Sequence, residues 1–297
     1  MPLGAEERIW LFGDTWIRQE DGSLGMVSNS IGLQYGHCSN PMEVHWGEGP
    51  SPALSAPDGK GWLWPAGGLL LEETLFLFTH HLERVGPGAW DFRVKATHLL
   101  AVLNPRAPPG LWVRRRLELP WNPDEFLVAS SPIFAGPHVL VFGTRASGDS
   151  RELLLARIPK PYFLQERIRE GWEFWAGSGL WSQRVEEAHA LFGGVGTELT
   201  VARVEAEEGW LALYSPGGIS PEIVLRKAAS PEGPWEAPRK LHHCPEAASG
   251  ELYCYGAKLH PECSTEALWI TYSVNAEDNL FKGADVAKPR WLMVSRP

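Results

Sequence analysis

Long apolar runs, blocks of basic residues and familiar catalytic signatures are all missing from this 297-residue sequence. No apolar stretch approaches the roughly 18 residues that a membrane-spanning helix needs, and no secretory signal opens the chain. The formal net charge is −9, and the densest basic run is only Arg114, Arg115 and Arg116. These features argue against an anionic membrane or a nucleic acid as a partner, and they leave the compartment open.

Metal-binding and nucleophile motifs are missing as well. The four cysteines at positions 38, 244, 254 and 263 form no CxxC pair, and the chain has no GxSxG, HExxH or phosphate-loop pattern. His242, His243 and Cys244 are consecutive, and consecutive residues on a strand point to opposite faces, so they do not fit one ion. The sequence therefore predicts no metal and no cofactor, and it leaves a Cys254–Cys263 disulfide open.

Tryptophan, glycine and proline are abundant, at 15, 31 and 25 residues. The chain consists of short apolar runs separated by turn clusters such as residues 86–88, 107–110 and 215–218. Predicted strands cover residues 61–71, 74–81, 92–103, 126–134, 139–145, 152–158, 172–175, 197–204, 210–214, 222–227, 251–259, 267–274 and 289–295. A turn or two of helix is expected only within 162–171 and 183–191, so the chain is predicted to be all-β.

A weak repeat is visible along these strands. Apolar runs end in Gly-Asp-Thr or Gly-Thr-Arg, then follow an Ala-Arg or Ala-Val run and a tryptophan, with a period of about 50 to 65 residues. This period is typical of four-stranded antiparallel propeller blades with loop insertions. The sequence thus predicts a single domain, residues 1–297, forming a five-bladed β-propeller. Pairing of the N- and C-terminal strands would close it, because an unpaired edge is a liability.

The order of the motifs resembles domain-of-unknown-function family 4185. The matching segments are 12–16 (FGDTW) with 29–30, 63–81, 142–145 (FGTR), 156–159 with 172–175, 196–201 (GTELTV), 229–235, 255–262 and 270–275. The resemblance implies a five-bladed propeller similar to the arabinanase-type glycosidases, and some members of that family are endo-D-arabinanases of glycoside hydrolase family 183. Activity does not follow from the fold, because propellers host many functions.

Glycoside hydrolysis needs two carboxylates, one of which is kept protonated by its surroundings. Asp14 follows the buried run 9–12 and Gly13, and is the candidate base or nucleophile. Glu198 lies between the apolar runs 193–197 and 199–201, a setting expected to raise its pKa as a general acid requires. Glu222 opens a later strand and is the third candidate. Turn capping for Asp14 and Glu222, and an ion pair with Arg145 or Arg226 for Glu198, are the structural alternatives.

Five further residues are candidates for substrate binding. Trp64 precedes Pro65 and a pair of glycines, and we expect it to stack on a sugar ring. Polar side chains that end or interrupt apolar strands are expected to bond hydroxyls or to orient a carboxylate: Asn29, His80, Arg145 and His260. Bonds to backbone carbonyls are the alternative for both histidines.

Three functions compete at this stage. The first is a glycoside hydrolase acting on a polysaccharide, with an arabinan-like furanoside favoured. The second is a carbohydrate-binding propeller without a working acid pair, and the third is a protein-interaction propeller. A monomer is predicted. The sugar, its linkage, the stereochemical outcome and an axial calcium ion are left open.

Overall fold

The computed structural model describes residues 1–4, 6–19, 21–88, 90–204, 208–264, 266–276 and 286–295. Two compact units make up the chain. Unit 1 comprises Met1–Pro123 and Tyr162–Glu170, and unit 2 comprises Asp124–Pro161 and Gly171–Pro297.

Unit 1 is built from antiparallel strands. Its strands are β1 (Glu7–Phe12), β2 (Thr15–Arg18), β3 (Leu24–Val27), β4 (Ser30–Tyr35), β5 (Met42–His45), β6 (Trp62–Leu71), β7 (Thr74–Arg84), β8 (Phe92–Val102) and β9 (Arg114–Glu118). They form a β1-β4-β5 sheet, a β2-β3 hairpin and a four-stranded meander β6-β7-β8-β9. A short 3₁₀ helix, Pro109–Leu111, lies between β8 and β9.

The core of unit 1 explains why β7 and the end of β8 contain continuous apolar runs. Strands covered on both faces need apolar residues at successive positions, and Leu75, Phe76, Leu77 and Phe78 are all at most 1% exposed. Side chains from β1, β4, β6, β7 and β8 share one cluster with Leu3, Leu54 and Trp112. This packing fixes the position of β6 against the end of β1.

Unit 2 contains the remaining strands. They are β10 (Leu127–Val128), β11 (Ile133–Ala135), β12 (His138–Ser147), β13 (Ser150–Pro159), β14 (Glu173–Gly177), β15 (Leu180–Ser182), β16 (Phe192–Val195), β17 (Thr200–Ala202), β18 (Trp210–Tyr214), β19 (Glu222–Ala228), β20 (Arg239–His243), β21 (Leu252–Leu259), β22 (Ala267–Ala276) and β23 (Arg290–Ser295). A seven-stranded sheet runs from β10 to β16, followed by the sheets β17-β18-β19-β20 and β21-β22-β23.

Helix is scarce, as expected. Within the part of the chain that the structure describes, the α-helix is α1 (Lys160–Leu164), and further 3₁₀ turns cover Val185–Glu187, Pro245–Ser249 and Pro261–Cys263. Each of the two regions where the sequence predicts a turn or two of helix, 162–171 and 183–191, therefore overlaps one short helical segment. Within the described residues, no helix is long and apolar enough to cross a membrane.

The Cys254–Cys263 disulfide that the sequence left open is not formed. Cys254 and Cys244 are free thiols, both buried, whereas Cys263 is disulfide-bonded. Burial raises the pKa of both free thiols, and their side chains are hydrogen-bonded to each other.

The predicted all-β class is confirmed, since antiparallel sheets account for almost all of the regular structure. Five of the described sheets have three or more strands. The first and last of them pair β1 with β4 and β23 with β22. The blade number, the closing strand pair and the single domain stay predictions.

Candidate functional site

Asp14 lies in the two-residue turn between β1 and β2. The turn is held by Thr15, whose hydroxyl donates to the Gly13 carbonyl at 2.8 Å. Thr15 Oγ1 also lies 2.8 Å from Ser30 Oγ. Because Thr15 donates its hydroxyl proton to Gly13, the buried Ser30 hydroxyl is the donor in this second bond. This chain of bonds fixes the backbone on both sides of the carboxylate.

The Asp14 carboxylate contacts Trp64 of β6. Trp64 Nε1 donates to Asp14 Oδ1 at 2.9 Å. Asp14 is an exposed residue, and the protein atoms packed around its carboxylate remove part of its hydration shell. That desolvation raises the pKa of Asp14, against the Trp64 hydrogen bond and the Arg84 charge, which both lower it. Asp14 is thus a carboxylate with raised basicity at a solvent-accessible position.

Trp64 belongs to a group of four packed aromatic side chains, which we call the aromatic cluster: Trp62, Trp64, Trp90 and Phe92. Phe92 packs edge-on against Trp64 and Trp62, with ring centroids 5.2 and 6.0 Å apart. The Arg84 guanidinium lies 5.7 Å from the Trp62 ring. Trp62, Trp64 and Phe92 are half-buried, and Trp90 is 51% exposed. Partly open aromatic faces beside a carboxylate are suited to stacking on a flat apolar face of a ligand.

The bulge in β6 accounts for the position of Trp64. The pairing of β6 with β7 shifts register between Pro65 and Gly67, and proline within a sheet is tolerated at bulges. The strand is otherwise regular over ten residues, so the irregular, loop-like strand expected around Trp64 is limited to this one bulge.

His80 and Asn29 lie close to this region with different surroundings. His80 is the cross-strand neighbour of Trp64 on the same face of the sheet, and its Nδ1 lies 3.1 Å from the Thr97 hydroxyl. Asn29 is completely buried. Its amide donates to the carbonyls of Leu54 and Leu63 and accepts from the Leu54 N–H, at 2.7 to 2.9 Å. Those three bonds hold the backbone that precedes Trp64.

Glu198, in unit 2, has a different environment from the one expected. Its side chain is 54% exposed, and Oε2 lies 3.9 Å from Lys258 Nζ. A Cβ on Gly256 would lie 3.2 Å from the same oxygen, so the carboxylate passes over a glycine of β21. The prediction of an apolar setting for this side chain is wrong, and so are Arg145 and Arg226 as its partners. The neighbouring charge is Lys258.

Glu222 and Arg145 each have a partner elsewhere in unit 2. Glu222 accepts from Lys240 Nζ at 2.8 Å, and this hydrogen bond lowers the pKa of the carboxyl, the reverse of what a general acid requires. Arg145 binds the cross-strand Glu152 through Nε and Nη2 at 3.0 and 2.6 Å, and its Nη2 also donates to the Ala188 carbonyl.

His260 directly follows β21 and is an uncharged imidazole at neutral pH. Burial lowers the pKa of His260 to about 4. Its Nε2 lies 2.8 Å from the Thr271 hydroxyl, and its ring packs on Trp291 with centroids 5.5 Å apart. Among the described residues, no group of three or more His, Cys, Asp or Glu side chains could hold a metal ion.

Sequence reasoning missed several neighbours of the candidates: Trp62, Arg84, Phe92 and Lys258. Trp62 had a usable signal, because residues two apart on a strand share a face and Trp64 was already selected. Arg84, Phe92 and Lys258 approach through the folding of distant strands and carry no local signal. Within unit 1 the structure does bring together Asp14, Trp64 and His80.

The family comparison corrects one expectation. The sequence model described as "Domain of unknown function (DUF5005)" matches residues 1–296. The resemblance to family 4185 is therefore wrong. A comparison with curated protein sequences finds no match.

Comparison with solved structures shows the fold. A candidate hydrolase from Bacteroides ovatus superposes with a TM-score of 0.68 at 14% identity, covering 97% of this chain and 82% of its own. An α-L-arabinofuranosidase from Lactobacillus brevis gives 0.53 at 10% identity, with 94% and 89% covered. An endo-arabinase from Bacteroides thetaiotaomicron gives 0.52 at 12% identity, with 96% and 93% covered. This chain shares the all-β fold of these proteins.

Proposed function

The chain belongs to the DUF5005 family, and from the surroundings of Asp14 we propose that it is a glycoside hydrolase acting on a polysaccharide, with an arabinan-like furanoside as the favoured substrate. The observation that carries the proposal is the hydrogen bond between Trp64 and a desolvated, solvent-accessible carboxylate beside partly open aromatic faces. The sugar-cleaving enzymes among the structural neighbours support the substrate class. The same proposal takes the five larger sheets as blades of one five-bladed propeller closed by its terminal strands.

Asp14 would act as base or nucleophile. That role needs the ionised form, which the Trp64 N–H and the Arg84 charge stabilise, while desolvation makes the carboxylate a stronger base. The aromatic cluster would bind sugar faces, and His80 would donate or accept at a hydroxyl next to Trp64. Asn29 would act indirectly, by holding the backbone of Leu63 next to Trp64.

Glu198 remains the candidate acid, which would protonate the leaving oxygen. Its exposure leaves it accessible to a substrate, and Lys258 is its charged neighbour. Glu222, paired with Lys240, is the weaker choice. Arg145 and His260 stay predictions as substrate-binding residues, although each is already bonded to protein groups.

A carbohydrate-binding protein without hydrolysis is the second candidate function. The observation that favours it is the setting of Glu198, which is half exposed and beside a lysine, whereas a general acid is normally held protonated by an apolar or anionic environment. The aromatic cluster would serve this function equally well.

The deciding experiment measures reducing ends released from a panel of polysaccharides that includes arabinans. Wild-type protein is compared with Asp14→Asn, Glu198→Gln and Glu222→Gln, each checked for folding by circular dichroism. Glu222→Gln tests the weaker candidate acid, whose carboxylate is bound to Lys240. Release that both Asp14→Asn and Glu198→Gln abolish, and that Glu222→Gln retains, supports the hydrolase and its acids. Binding without release on any polysaccharide supports the second function.

A further inference from the structure

A second group of polar side chains lies on the other face of the sheet that carries Trp64. His80 and His81 are consecutive on β7 and therefore point to opposite faces. His81 faces a recess of about 230 Å³. Its walls come from β7, β8, β9 and the segment before β6: Pro57, Asp58, His81, Lys95, Ala96, His98 and Arg116.

The hydrogen bonds of His81 define the tautomers of both histidines. His81 Nε2 lies 2.7 Å from the Lys60 carbonyl, which can only accept, so this nitrogen carries a proton. In neutral His81 the other nitrogen, Nδ1, is then an acceptor, and His98 Nε2 lies 3.4 Å from it. His98 therefore donates from Nε2 and keeps a lone pair on Nδ1. Burial and the charge of Arg116 lower the pKa of His98 to about 4, so the ring is neutral at pH 7.

The charges around the recess do not cancel. Lys95 is the extra residue of a bulge between β7 and β8, and its Nζ binds Asp58 Oδ2 at 2.9 Å. Arg116, an exposed residue of β9, makes no ion pair with any residue that the structure describes. Glu118, a further carboxylate on β9, is bound to Arg169. The recess lining thus carries two cations and one carboxylate, in a chain whose net charge is −9. Such a local excess favours an anion.

We propose that this recess binds a small oxyanion, such as a sulfate, a phosphate or a carboxylate, either free or carried on a larger molecule. The Arg116 guanidinium offers a planar fork of donors that matches two oxygens of such a group. Lys95 adds a second positive charge, and His98 can become a donor by taking up a proton on Nδ1. The proposal is independent of hydrolysis at Asp14.

The test is calorimetric titration of the full-length protein with sodium sulfate at low, constant ionic strength, repeated with phosphate. Arg116→Gln removes the guanidinium that faces the recess. Arg115→Gln is the matched control, since it removes the same charge from the opposite face of β9, where Arg115 binds Glu166. Because charge-assisted hydrogen bonds are lost, we expect Arg116→Gln to weaken sulfate binding about tenfold or more. Arg115→Gln should stay within about twofold of wild type.

The source of the oxyanion is decided by a second arm. A sulfated oligosaccharide and its desulfated counterpart are titrated under the same conditions. Two results support the proposal, provided that Arg116→Gln abolishes the binding. Binding of the free ion assigns a free oxyanion as the source, and binding of only the sulfated oligosaccharide assigns an oxyanion carried on a larger molecule. Absence of any binding, or binding that Arg116→Gln leaves intact, overturns it.

An independent readout is the nuclear magnetic resonance titration of the His98 ring. The groups that face His98 are His81 on β7, Arg116 and Glu118 on β9, and Asp58 before β6. A bound anion stabilises the imidazolium, so added sulfate should move the His98 titration to higher pH. A His98 titration that sulfate leaves unchanged, while calorimetry detects binding, would place the anion elsewhere and contradict the proposal.

Discussion

Asp14 is held in a position that does not favour its own charge. Desolvation raises its pKa, and the Trp64 hydrogen bond and the Arg84 charge offset only part of that effect. A fold selected for stability alone would place a neutral side chain here. Carboxylates with raised pKa values are typical of functional sites, where stability is given up for reactivity.

Replacing Asp14 by Asn should therefore stabilise the protein at neutral pH. Because the folded-state pKa is raised, the wild type binds a proton more readily when folded. The ionised carboxylate lowers the stability of the wild type. This destabilisation is absent below the ordinary pKa of 3.8 and develops as the pH rises through the folded-state pKa. Thermal unfolding followed by circular dichroism should give a higher Tm for Asp14→Asn at pH 7 and equal values near pH 3.

Asp21→Asn is the control of opposite sign. Hydrogen bonds from the Ser23 hydroxyl and N–H lower the pKa of Asp21. Its ionised form therefore stabilises the folded state above the ordinary pKa, and Asp21→Asn should lower the Tm at pH 7. A Tm of Asp14→Asn below that of wild type at pH 7 would refute the assignment of Asp14 as a desolvated carboxylate.

Trp64 should control the pH dependence of catalysis through its N–H. Trp64→Phe keeps an aromatic face but removes the hydrogen bond that stabilises the ionised Asp14. The pKa of Asp14 should rise further, so the acid limb of the kcat/KM profile should move to higher pH. Trp62→Phe is the control, since the Trp64 bond remains, and its limb should stay in place. If the acid limb of Trp64→Phe stays at the wild-type pH, Trp64 does not influence the group that titrates there, and the prediction is contradicted.

At the scale of elements, Asn29 links the segment before β4 to Leu54 and to β6. Asn29→Ala should destabilise the protein by about 3 kcal/mol, because two carbonyls and one N–H lose their partner in the interior. Asn40→Ala loses one exposed bond to the Tyr35 carbonyl and should cost about 0.5 kcal/mol. Urea unfolding at unchanged m-value measures both. A loss below about 1 kcal/mol for Asn29→Ala would contradict this linking role.

Gly196 marks a close approach of two backbone segments in unit 2, just before Glu198. A Cβ there would lie 2.3 Å from the Gly218 Cα, and backbone cannot move aside as a side chain can. Gly196→Ala should therefore cost about 2 kcal/mol. Gly193→Ala is the control, since its nearest neighbour would lie 4.0 Å away. Equal midpoints of urea unfolding for the two variants would rule out the close approach.

At the scale of the molecule, the sequence predicts the strands well where local chemistry determines them. The predicted apolar runs of β6, β7, β12 and β22 lie within a few residues of their observed bounds. Asp14 and Trp64 could be selected because each stands next to a glycine or proline at a buried strand. Their mutual contact could not be predicted, since it joins residues 50 positions apart.

Glu198 shows where local reasoning fails. Its sequence neighbours are apolar, yet exposure depends on which distant segments pack over a side chain, and Gly256 and Lys258 of β21 leave this one half exposed. The family assignment failed for a related reason. Short motifs such as Gly-Asp-Thr report strand ends and turns that many all-β chains share, and they identify a type of fold more readily than one family.

The most direct measurement is kcat/KM for reducing-end release on the best polysaccharide, compared between wild type and Asp14→Asn. Loss of a carboxylate that acts on the reacting bond should lower kcat/KM by about 10³-fold. Glu222→Gln, which alters a carboxylate already bound to Lys240, should stay within about threefold of wild type. If the folded Asp14→Asn variant retains more than about a tenth of the wild-type kcat/KM, the account is contradicted, because Asp14 then takes no part in the chemical step.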